Sequence, residues 1–120
     1  MLCPLLPGIA DAPKQVDELV RFAKRIGAEE VYAEAVNPRG PGLKNTEHAL
    51  RSAGYEKEAD AVGAVRVRTN WSPYVAGLIA NIQRAMRRHR MINKLRFLLY
   101  PGRLAKQDRK AIERDDQGVI

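Results

Sequence analysis

Few residues in this 120-residue chain have the types and spacing that chemistry needs. A metal site requires histidine, cysteine or carboxylate ligands at regular spacing. Cys3, His48 and His89 lie far apart and have none. His89 falls on the apolar stripe of a predicted helix and reads as a packed histidine. There is no glycine-rich phosphate loop, no nucleophile elbow and no defensible Ser/His/Asp arrangement. No catalytic residue and no metal ligand is assigned on these grounds. The more informative positions are polar residues inside apolar runs. Glu34 sits between Tyr32 and Val36 on one face of a predicted strand, and Arg96 shares a face with Lys94, Leu98 and Tyr100 on another. If those faces turn inward, Glu34 and Arg96 either pair with each other or meet a polar ligand. Burying an unpaired charge is costly, so each needs a partner in either case. A third group is basic: Arg84, Arg87, Arg88, Arg90 and Lys94 crowd one short segment. They form either a solvated helix face or a grip on the phosphates of DNA or RNA. No aromatic residues interleave them, so base stacking is not indicated.

These residues depend on a regular alternation of elements. Leu2–Leu6 is a continuous apolar run, as in strands covered on both faces, although Pro4 favours an edge. Pro7-Gly8 ends it, and Asp11 is placed to cap a helix from about Pro13 to Ile26. Gly27 suits a left-handed C-terminal cap. Glu30–Val36 reads as a second strand, with Val31, Ala33 and Ala35 on one face. Strand, helix and strand with short links form a parallel βα unit. The loop Asn37–Leu43 leads to a short helix from about Asn45 to Ala53 and a second from about Lys57 to Arg68. Ser72 and Pro73 have the residue types of a helix cap and first helical position, opening a helix that reaches about Arg90. Lys94–Tyr100 is a third strand. Ala105–Asp115 is a last helix, and Gly118-Val119-Ile120 can begin a fourth strand. The fold class expected is α/β with a parallel sheet. Ligands in such folds gather beyond the C-terminal ends of the strands. Those ends are Pro7-Gly8-Ile9, Asn37-Pro38-Arg39-Gly40 and Tyr100-Pro101-Gly102-Arg103, which serve either as plain turns or as glycine-bearing ligand loops.

Composition sets the limits. The chain is 45% hydrophobic and 29% charged, which is ordinary for a folded domain, and no run approaches the roughly 20 apolar residues of a membrane span. A single cysteine excludes an internal disulfide and makes a cytoplasmic setting the default. The net charge of +7 is uneven. Residues 66–110 hold 12 basic side chains against Asp108 alone, and such a block attracts polyanions.

The order Pro4-Leu5-Leu6-Pro7-Gly8-Ile9-Ala10-Asp11, Gly27-Ala28, Val31-Tyr32-Ala33-Glu34-Ala35-Val36-Asn37-Pro38-Arg39-Gly40, Asn70-Trp71-Ser72, Lys94–Pro101 and Asp116–Ile120 resembles the later strands of radical S-adenosylmethionine enzymes. The likeness is greatest to the spore photoproduct lyase-like branch associated with DNA repair, and it covers nearly the whole chain. It implies a TIM-like partial (βα) barrel, with residues 1–120 as one C-terminal segment. It implies S-adenosylmethionine and a four-iron–four-sulfur cluster in the larger protein, the cluster held by a CxxxCxxC motif. That motif is absent here, so the chain alone is expected to bind neither group and to be inactive. By position, Gly8 and Ile9 match the turn near the cofactor's adenosyl portion, and Glu34 and Asn37 would face the same cavity. The expected partner is a missing N-terminal barrel half or a second copy. The alternatives are a small basic nucleic-acid-binding module and a structural fragment without activity of its own.

Overall fold

The computed structural model describes residues 1–120 and places three parallel strands in one sheet, in the order β1-β2-β3. β1 spans Leu2–Leu5, β2 Val31–Ala35 and β3 Leu95–Leu98. Helix α1 (Pro13–Arg25) links β1 to β2. Helices α2 (Gly42–Ser52), α3 (Glu56–Ala64) and α4 (Arg68–Arg88) link β2 to β3, and α5 (Lys106–Arg114) follows β3. The fold is therefore mixed α/β with a parallel sheet, as the alternation of elements predicts. The chain then returns to the sheet. Val119 bridges Phe97 in parallel, the Phe97 amide donates to Gly118 at 2.6 Å, and the Ile120 amide donates to Phe97 at 2.8 Å. A fourth strand position is thus occupied beside β3.

The strands lie in sequence order, and right-handed crossovers that all advance the same way put their helices on one face. The burial pattern follows. Val31, Ala33, Leu95 and Phe97 are buried beneath Val16 and Val20 of α1 and Leu78, Ile82 and Met86 of α4, within one apolar core. The register sets Tyr32 opposite Arg96 and Glu34 opposite Leu98 on the other face. No helix covers that face, and Tyr32 is 38% exposed. No helix of the chain is long and apolar enough to cross a membrane.

Local signals explain most boundaries. α1 buries Val16, Val20 and Ala23 at helical spacing. It ends at Gly27, whose φ of 71° is left-handed, with Ala28 N–H bonding Ala23 and Gly27 N–H bonding Lys24, both at 3.0 Å. Two expectations fail. Asp11 does not cap α1; it accepts the Gly8 amide at 2.7 Å and closes the turn after β1. Ser72 and Pro73 do not open α4, which begins at Arg68 with Pro73 inside it. Trp71 and Ser72 are buried by tertiary contacts, and that burial outweighs the one helical hydrogen bond proline removes. Ser72 donates to Asp108 at 2.5 Å and accepts the Ala105 amide at 2.8 Å, so it fastens α5 to α4.

Candidate functional site

The uncovered sheet face and the rim at the strands' C-terminal ends form one continuous polar surface. Helix α4 positions it from behind. The Tyr74 hydroxyl donates to the Leu5 carbonyl and accepts the Val36 amide at 3.3 Å, tying the ends of β1 and β2 together. One turn earlier, the buried Trp71 indole donates to the Val36 carbonyl at 2.9 Å. Both aromatic side chains keep a polar tip satisfied while their bodies fill the core edge. The residues just past β2 are fixed by these contacts.

Glu34 is the hub of the open face. Its carboxylate accepts the Cys3 thiol at 3.2 Å, across the β1–β2 pair. Partial burial, reinforced by that hydrogen bond, pushes the Cys3 thiol up to about 11, so the sulfur is protonated at neutral pH. The Glu34 carboxylate also holds the nearby Tyr100 phenol above its usual range. At the opposite end of the sheet, Tyr32 donates to Glu30 at 2.9 Å, and Glu30 also holds the Arg96 guanidinium at 3.3 Å. The anticipated Glu34–Arg96 pairing therefore does not form. The register sets Arg96 beside Tyr32, and Glu30 at the start of β2 is its partner.

Beyond Tyr100 the surface dips into a cleft of about 110 Å³. Asn37, Pro38 and Arg39 from the loop after β2 form one wall, and Tyr100 and Arg103 from the loop after β3 form the other. Trp71 is its floor.

The residues expected to meet a cofactor thus divide. Asn37 lines the cleft, and Glu34 reaches its border through Tyr100. Gly8 and Ile9 do not line it. Gly8 has φ of 74°, and a Cβ there would lie 2.6 Å from the Cβ of Ala61 in α3. Its small size serves helix packing at the turn. Ile9 is 39% exposed beside it.

The basic segment is dispersed rather than gathered. Arg87 donates to Asp115 at 2.7 Å and Arg88 to Asp17 at 2.6 Å, joining α4 to the C-terminal segment and to α1. Lys94 donates to the Ala28 carbonyl at 3.1 Å, and Arg84 donates to Asn81 at 3.0 Å. Arg90 occupies the left-handed position after α4, with φ of 60°. His89 meets Asp17 at 3.1 Å, in keeping with a packed histidine.

Sequence reasoning named the loops that carry Arg39 and Arg103 but not these two side chains. It weighed Cys3 only as a metal ligand. The signal for Cys3 was its place in the strand paired with Glu34; the signal for the arginines was their shared position three residues past the end of a predicted strand.

No family model, curated protein or solved structure matches the chain.

Proposed function

We propose that this chain is a wall of a TIM-like partial barrel of the radical S-adenosylmethionine type, and that its open sheet face lines the cofactor and substrate cavity. One observation carries the reading: parallel strands in sequence order bury one face under helices and leave a polar face bare. A barrel is the arrangement in which such a face turns inward. A doubly wound sheet would reverse its strand order and cover both faces.

The face suits a polar organic ligand. Glu34 accepts N–H or O–H groups, and the Asn37 side chain donates and accepts. The same face does not suit a metal cluster. Cluster ligands are several cysteine thiolates, and this chain has Cys3 alone. The proposal therefore gives the chain cavity walls and no step through the cluster. Further barrel strands, or a second copy, would cover the open face, in a cytoplasmic protein.

Because the chain alone is expected to bind no cofactor, the test is S-adenosylhomocysteine binding by the intact protein in which this chain would be joined to its cluster-bearing half. Glu34→Gln there should weaken binding. Binding unchanged in that variant would sink the reading. The alternative, a nucleic-acid module built on Arg84, Arg87, Arg88, Arg90 and Lys94, has less support because Arg87 and Arg88 already hold carboxylates of this chain. Salt-dependent retention on DNA, abolished in an R84Q/R90Q variant, would favour it instead.

A further inference from the structure

Five of the fourteen arginines of this chain hold its own carboxylates. Arg51 holds Glu47, Glu56 and Asp60, Arg66 holds Glu47, Arg87 holds Asp115, Arg88 holds Asp17 and Arg96 holds Glu30. The cleft at the strand ends is different. Arg39 and Arg103 approach it from two separate loops, and neither guanidinium has a carboxylate partner. Arg103 is half-buried there. No sealed side-chain nitrogen in the chain lacks a partner, so its donors open to solvent. Asn37 completes the donor set. Its Oδ1 is engaged by the Arg39 amide at 2.9 Å, and this leaves the Asn37 NH₂ group to donate outward. The Trp71 indole is satisfied by Val36 and contributes only an apolar floor beside Pro38.

We propose that this cleft is an oxyanion subsite that takes the dianionic phosphate of a phosphomonoester ligand, between Arg39, Arg103 and the Asn37 amide. Two guanidinium forks on opposite walls match a tetrahedral dianion, because each can donate in parallel to two of its oxygens. A carboxylate has one charge and two oxygens and leaves one fork unused. No carboxylate lines the cleft. The parallel sheet places the subsite where ligands of such sheets gather, beyond the strands' C-terminal ends. The site extends the proposed cavity but does not require a barrel or S-adenosylmethionine.

The test is a titration of the 120-residue chain with inorganic phosphate, followed by amide and side-chain NMR, with acetate as the monoanion control. Saturable shifts are expected at Asn37, Arg39, Tyr100, Arg103 and the Trp71 indole. Binding should weaken as pH falls through the second ionisation of inorganic phosphate, below which the ligand is a monoanion. Arg39→Gln and Arg103→Gln should each weaken binding by about tenfold, the loss of one charged hydrogen-bonding partner. Arg103→Lys should retain part of it, and Arg114→Gln, on the exposed side of α5, should change nothing. Unfolding of a variant shows in its spectrum, and the unmodified chain still decides the matter. No saturable phosphate shift, an equal response to acetate, or equal weakening by Arg114→Gln each overturns the proposal. Phosphate binding by this chain, with S-adenosylhomocysteine binding by the intact protein unchanged in Glu34→Gln, would sink the cofactor-wall reading and leave the subsite standing.

Discussion

Glu34 shows how one carboxylate sets the chemistry of its neighbours. An ionised acceptor favours the protonated forms of groups that donate to it. The Cys3 thiol is such a group and is pushed up to about 11, and the nearby Tyr100 phenol is raised as well. The thiol is therefore a hydrogen-bond donor at neutral pH and a poor nucleophile. Replacing Glu34 with Gln removes the charge but leaves the burial, which is the larger cause. The thiol should then titrate lower, part of the way back to its usual value. Each unit of that drop raises the thiolate fraction at pH 8 about tenfold. Modification of Cys3 by a disulfide reagent, followed against pH, reads this directly. An unchanged profile would mean that Glu34 does not govern the sulfur.

The elements are held together by charge at their margins and by apolar contact at their centres. Asp17 on α1 is the clearest marginal tie. Partial desolvation pushes its carboxyl up, but hydrogen bonds from Arg88 and His89 outweigh this and hold it below the usual carboxylate range. A depressed carboxyl binds fewer protons folded than unfolded, so its contribution is present above about pH 4 and is lost as pH falls through the lowered value. Thermal melts between pH 7 and pH 2 should therefore show a steeper acid limb for the native chain than for Asp17→Asn. Parallel limbs would place the acid sensitivity elsewhere. The element boundaries also mark where local reading succeeds. Gly27 was legible because a left-handed residue after a helix needs no distant partner. Ser72 was misread because its hydroxyl is claimed by Asp108 and Ala105, 36 and 33 residues away, and no local propensity encodes that contact.

At the scale of the molecule, the bare sheet face dominates. Tyr32, Glu34, Arg96 and Leu98 would be shielded within a closed barrel, and β1 presents an unpaired edge. The isolated chain should associate through this surface at high concentration. Leu98→Lys places a charge at its middle, points away from the helix-covered core, and should yield a monomer of unchanged helix content by sedimentation and circular dichroism. Association that persists in this variant would assign the contact to another surface.

The sequence by itself determined the elements and their order. Period-two burial in Val31, Ala33, Leu95 and Phe97 and helical spacing in α1 are local properties, and a strand–helix–strand unit with short links, as from β1 to β2, almost always makes a parallel pair. It also located the loops at the strand ends. The tertiary structure alone decided which polar residues meet. A one-residue change of register would exchange the faces of a strand, and local periodicity does not specify the partner strand. The register set Arg96 beside Tyr32 rather than Glu34, and the β1–β2 pairing brought Cys3 to Glu34 across 31 residues. Chain packing spent Arg87 and Arg88 on Asp115 and Asp17 while leaving Arg39 and Arg103 free around one cleft. Side chains so far apart in sequence meet only when the long-range packing of strands and helices has been fixed.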